Sequence, residues 1–509
     1  MNTYEEVIGY GELELVSPYE IQTLHNLTLT QAVNDHARLA ITGFIPAEKK
    51  DSCMQLASST DRIELYQKHN GQRLHALFKG QVTEIAIRMT RGVYQIELEA
   101  VSSTFTLDCK KKYRSFQHHK MTYQAMIKKV LEDYSGADVI DTVSKATPLK
   151  QFILQYKETD WQFLQRMASH FRAVLVTAVD ADKPKFWFGL PEGRMEKLSV
   201  ANYTILKDRS KFLHSKHNDI EQPIEERDTV VYVIESRKTL KLGDRVLLQG
   251  KELVVAKSIA RMKQGILTYE YHLLFEKGVR QDRRSIPFLP GTAIEGKVLE
   301  VKKDQVRVHL SIDEAQKKEE ATWFPLATPY TAEGHSGFYS PPEEGDSVHL
   351  TFPTHREEAA VVRHSVRKGG ESNPKTADPK TSYWGTPKGK EMKLDPQSVT
   401  FTAKEGAVFL QLHQDSGITV HSKPSLLVKA NDTITFAGKR VSMSAAESMR
   451  FTCGSSSLVF DGNTDIQGQI VTMDGSIKAP VSVAAQEEET DLEAALDVMG
   501  MIPVGGGDA

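Results

Sequence analysis

Between residues 398 and 470 apolar side chains fall at alternate positions in short runs, and too few of them are large to fill two packed layers. The runs are Val399 and Phe401; Val408, Leu410 and Leu412; Ile418 and Val420; Leu426 and Val428; Ile434 and Phe436; Val441 and Met443; Met449 and Phe451; Leu458 and Phe460; then Ile466 and Ile470. A period of two is the pattern of a strand with one buried face. DSG, AND, AGK, CGSSS and DGN separate the runs, and each has the residues of a tight turn. Roughly ten short strands are predicted, apolar on one face and rich in Ser, Thr, Lys, Gln and His on the other. Alone, such a ribbon would leave a hydrophobic face and long edges in water. The segment offers neither a helix nor a second apolar layer, so the simplest cover is further copies of itself. Three copies about an axis would make a prism with the apolar faces inside. Each buried Val, Leu, Ile or Phe would contribute about 1.5–3 kcal/mol. A monomeric sandwich or solenoid is the alternative.

The remainder of the 509 residues is more than one core usually supports, and its patterning changes several times. Residues 1–110 carry period-two runs such as RIELYQK and VYQIELEAVS between Gly-containing turns, which predicts a β-barrel or sandwich. Residues 111–180 form a small α/β insert. One helix is predicted in MTYQAMIKKVLEDYSG, with Thr122 as N-cap, Gly136 as C-cap and a stripe of Tyr123, Met126, Ile127, Val130 and Leu131. A second follows a strand in QYKETDWQFLQRMASHF. There Thr159 and Gln162 form a capping box, and Trp161, Leu164, Met167, Ala168 and Phe171 share a face. Residues 181–285 return to strands and predict a second barrel. Residues 286–367 predict about five strands, the size and count of an OB-type barrel. A Pro/Gly/Lys-rich linker spans 368–397, the ribbon 398–480, and an acidic tail 481–509. In the tail Leu492, Leu496 and Met499 make a short apolar stripe, either a docking helix for a tip cap or carried effector, or a frayed end.

Charge narrows the partners. A net charge of -3 gives no basic field for a nucleic-acid backbone and no polybasic membrane signal. Cys53, Cys109 and Cys453 lie far apart and predict no zinc ribbon or disulfide framework. The first residues lack the basic and apolar regions of a signal peptide, so synthesis and folding in the cytoplasm are expected.

The order barrel, helical insert, barrel, OB domain, ribbon resembles the VgrG family and the hub-spike proteins of contractile phage tails. QYKETDWQFLQRM at 155–167 resembles that family's Q-Y-x-E-S-D-x-x-F-L-x-R-L stretch, with Thr159 and Met167 as substitutions. PPEEGDSVHLTFPTHREEAAVVRHSV is similar to the end of its OB domain, and GKEMKL at 389–394 to the start of its needle. The resemblance covers about residues 1–480. It implies a mainly β fold of two hub barrels with a small α/β insert, an OB-fold collar and an intertwined trimeric β-helix or prism. It also implies a homotrimer that joins tail tube and baseplate proteins to a needle that pierces a target membrane. A phage tail, a tailocin and a type VI-like system all fit; a trimeric adhesin is the alternative.

An enzyme is not expected. Glycosidase chemistry needs two carboxylates in a cleft, whereas Glu158 and Asp160 read as charges at a helix N-terminus. No cofactor is implied. His413 and His421 lie eight apart in separate runs, and His118–His119 reads as a solvated basic loop, so no metal site is expected. Trp323, Phe324, Tyr330, Phe338 and Tyr339 could stack on bases in an OB groove, but acidic residues surround them, and they read as core and loop anchors.

Overall fold

The computed structural model describes residues 7–472 apart from 51–52, 54–57, 59, 199–201, 218–224, 333–335, 367–372 and 387. The chain divides into two compact units, residues 1–368 and 369–509. The tail residues Leu492, Leu496 and Met499 lie outside the described residues.

In the first unit the two β-rich segments are joined edge to edge in one 12-stranded sheet. Strand Thr23–Ala32 of the first segment pairs antiparallel with Lys251–Lys263 of the second, with Ala32 opposite Lys257 and Thr28 opposite Arg261. The inward side chains of both segments, among them Leu27, Ile41, Ile63, Phe78, Val255 and Tyr271, form one core. What reads in sequence as two barrels is therefore tied by a shared ladder and a shared interior.

The insert holds the two predicted helices, α1 (Tyr123–Leu131) and α2 (Asp160–Ser169). Thr122 Oγ1 accepts from Ala125 N at 3.2 Å, and α1 buries the stripe that its spacing predicts. The capping box of α2 is complete: Gln162 N donates to Thr159 Oγ1 at 3.1 Å and Thr159 N to Gln162 Oε1 at 3.2 Å. Thr159 Oγ1 also donates to Asp108. Thr159→Ala is expected to cost about 1–2 kcal/mol, with Thr159→Ser recovering most of it, as measured by denaturant unfolding. Helix α2 is amphipathic in sequence, yet Asp160, Gln165, Arg166 and Ser169 are buried along with its apolar face. All of the helix but Gln162 is buried, so these polar residues must be satisfied internally.

The OB domain is a five-stranded sheet in the order Trp323–Pro325, Gln305–Leu310, Ala293–Lys302, Ser347–Thr351, Val361–Ser365. A parallel bridge from Leu326 to Val362 links its first and last strands and closes the barrel. Gly345, at φ 90°, and Asp346, whose carboxylate accepts from Glu343 N at 2.8 Å, make the turn into Ser347–Thr351. Phe324 is buried in the core, and the Arg307 guanidinium lies 4.4 Å from the Trp323 ring centre. Both serve as the anchors expected from the sequence.

Candidate assembly interface

The second unit begins with a five-stranded antiparallel meander: Ser382–Gly385, Glu391–Leu394, Ser398–Lys404, Val408–His413 and Gly417–Ser422. Two of these strands fall inside the segment that reads as linker. Gly389, at φ 72°, turns the first hairpin, and Glu391 is paired with Lys375. Asp395 turns the second, accepting from Gln397 N at 3.0 Å, Ser398 N at 2.7 Å and Ser398 Oγ at 2.8 Å.

Partial burial opposes the Asp395 charge, but these donors, with Lys393, pull its pKa down to about 2. A depressed carboxylate pKa contributes stability above the unfolded value and loses it as pH falls through the folded one. Asp395 is thus expected to stabilise this hairpin by about 2 kcal/mol above pH ~4, fading through pH ~2. Acid unfolding of the natural chain and of Asp395→Asn should converge near the bottom of that window.

The register assigns the faces. Val399, Leu412 and Ile418 stand opposite one another in one row, Phe401, Leu410 and Val420 in the next, with Val408 beyond. Met392 and Trp384 extend the second row, and Leu394 the first. Those three were missed in the sequence, although EMKL alternates as the later runs do. The opposite face carries Ser398, Thr400, Phe409, Gln411 and His421.

The burial is inverted relative to an ordinary half-buried sheet. Ser398 and Gln411, on the polar face, are 6% and 9% exposed, whereas Phe401 and Ile418, on the apolar face, are 44% and 72% exposed. Phe409 is buried on the polar face and stacks on the His421 ring, with centroids 5.1 Å apart.

After Ser422 the pattern of runs continues but the ladder stops. Leu426, Val428, Ile434, Phe436, Val441 and Met443 lie in no strand, and every residue from 423 to 448 is exposed. Among the described residues, 424–448 make no backbone–backbone hydrogen bond, and the Ser425 carbonyl accepts from Ser422 Oγ at 2.6 Å. Pairing then resumes in Met449–Cys453, Ser456–Phe460 and Thr464–Gln467, where Phe451, Leu458 and Ile466 stand in one row and Met449 faces Phe460. Ile470 lies beyond the last strand and is exposed.

In the first unit, the stretch 155–167 that carries the family resemblance is a polar network around α2. Asp160 is bound by Lys112 at 2.7 Å, by Arg114, by Tyr134 Oη at 2.7 Å and by Gln155 Nε2 at 3.0 Å. Arg166 is 3% exposed and donates to both carboxylate oxygens of Glu158 at 2.8 Å. A third bond, at 3.0 Å, goes to Glu357 of the OB domain, and a fourth to the Leu154 carbonyl. Burial works against the guanidinium charge, but Glu357 and Glu158 hold its pKa above the ordinary value. Glu158 and Asp160 are thus consumed in ion pairs, a stronger role than the helix-end charges that their positions predict. His119 likewise does more than line a loop: its Nε2 lies 3.0 Å from Thr322 Oγ1 of the OB domain.

Known proteins place this geometry. Residues 55–171 match the family of the phage tail baseplate hub (GPD). Residues 294–366 match the type VI secretion system/phage-baseplate injector OB domain. No curated sequence matches. A chain of the Francisella PdpA-VgrG complex in its half-lidded form is similar at 10% identity over 82% of this chain and 88% of that one, with a TM-score of 0.52. The E. coli c3393 protein, a component of the type VI secretion system, is similar at 13% identity over 70% of this chain and all of that one, with a TM-score of 0.49. At such identity the Francisella likeness speaks for the fold alone. A hub domain followed by an injector OB domain in one mainly β chain defines a structural component of contractile tails and injection systems. The chain carries a domain of the baseplate-hub family and one of the injector OB family, and a structural hub-spike role is what that pair supports.

Proposed function

We propose that the chain acts as a homotrimer, in which residues 398–470 of three copies wind into one needle, and that the hub sheet docks on tail tube and baseplate proteins. The observation that carries this reading is the inverted burial of the second unit, together with the unpaired stretch 424–448. Backbone N–H and C=O groups in an extended, apolar-alternating chain are costly to leave without partners once their face is covered. Strands from two further copies would supply ladder bonds and apolar cover at once, and closed cyclic symmetry would leave no free copy of the face. The work would be mechanical rather than catalytic: the particle supplies the push, and the needle must resist unfolding, which calls for a high kinetic barrier. A tip cap or effector at Leu492, Leu496 and Met499 and a transient target membrane complete the set of proposed partners.

Light scattering tests the assembly. The full chain should have three times the mass of its 57.0 kDa protomer, and a chain ending at residue 397 should lose or weaken the trimer. A well-folded monomer for the full chain would remove the needle.

A further inference from the structure

The hub and the OB collar are held together by more than the chain that connects them. Phe152 and Leu154, which belong to the insert, are fully buried in the OB core beside Phe324, Val348 and Phe352. Immediately behind them Arg166 of α2 binds Glu357, and Leu154 N donates to the other oxygen of that carboxylate at 2.8 Å. The connector from the second β-rich segment to the OB domain is strapped to the same helix. Gln281 Nε2 donates to Gln165 O at 3.0 Å, and Arg284 N to Ser169 Oγ at 2.8 Å. On the adjacent insert strand, Ser115 donates from N and Oγ to Asp313 of the OB domain at 2.6 and 2.5 Å.

We propose that α2 is a joint that locks hub and collar into one cooperative body, with Arg166, held between Glu158 of the insert and Glu357 of the collar, as its latch. An interface built only of exposed ion pairs would let the collar open alone, because such pairs contribute little. Here the latch is buried, and opening it would strip the Glu357 carboxylate of both Arg166 and Leu154 N and leave the guanidinium with Glu158 as its one remaining carboxylate. Opening the collar would also uncover Phe152 and Leu154, so collar and insert must unfold together. This rests on the hub-spike reading for its purpose: a push delivered to the hub is passed on only if the collar that follows it in the chain cannot swing or unfold by itself.

Hydrogen exchange on the full-length natural chain, followed by mass spectrometry, tests the joint without a variant. Amides of α2 and of the collar strand Ser347–Thr351 should open with constants equal within roughly threefold, as members of one unfolding unit do. Collar amides that open independently of α2 and much faster would overturn the proposal. In Arg166→Met the collar amides should exchange roughly a hundredfold faster or more, while the hub strands Thr23–Ala32 and Arg38–Ile45 keep their protection. Unchanged collar exchange in that variant would equally overturn it. Should Arg166→Met not fold, Glu357→Gln, which keeps an acceptor for Leu154 N, should show the same selective loss at smaller amplitude, and no loss there would count against the latch. The solution mass of the same samples is a separate readout. A monomer with coupled exchange would sink the assembly reading and leave the joint standing, and a trimer with an independent collar would do the reverse.

Discussion

Replacing Phe401 and Ile418 together by aspartate is expected to reduce the proposed trimer to single chains of 57.0 kDa. Both side chains lie on the apolar face of the meander, in adjacent rows, and are 44% and 72% exposed in the isolated protomer. Burying each one contributes about 1.5–3 kcal/mol, and the proposed threefold symmetry would multiply every substitution by three. The aspartates would also bring six like charges to the axis without partners, which the interior tolerates only by taking up protons or opening. Thr419→Asp is the control. It sits between Ile418 and Val420 but points to the polar face, and its mass should stay trimeric. A double aspartate variant that remained a trimer would place the contact elsewhere in the chain.

Phe152→Ala should cost about 3–5 kcal/mol and should loosen the OB collar, although residue 152 lies far upstream of it. The ring is 2% exposed, meets Phe324 edge to face at 5.1 Å and lies 6.3 Å from Phe352. Truncation would open a cavity at the centre of the collar core, which the closed barrel cannot collapse around. Denaturant unfolding gives the size of the loss, and exchange of the collar strands gives its place. Phe288, 78% exposed, supplies the comparison, since its replacement by alanine should fall within about 0.5 kcal/mol of neutral.

The features that the sequence made legible are those written in short spacings. Thr122 and Thr159 mark helix starts because a cap is satisfied within three residues. The stripe from Tyr123 to Leu131 repeats with the helical turn. The runs from Val399 to Val420 and from Met449 to Ile466 alternate with the pleat, and their turn residues set each strand's end, whereas the runs from Leu426 to Met443 keep the pattern without forming a ladder. From these alone follow a mainly β chain, a small helical insert, an OB-type barrel and an apolar-faced ribbon that needs a cover. Tertiary structure alone decided what joins to what. No local pattern says that Thr23–Ala32 pairs with Lys251–Lys263, that Trp384 and Met392 extend the ribbon's apolar face, or that Phe152 completes a core built mostly of residues after 285. The same holds for Arg166. Its spacing places it on α2, but only the packed collar brings Glu357 within reach, and that contact turns a polar residue on an apparently amphipathic helix into a buried latch. Local order is encoded by neighbours a few positions apart, whereas these pairings depend on where distant segments meet, and the free energy that selects them is burial, which exists only once the whole unit has closed.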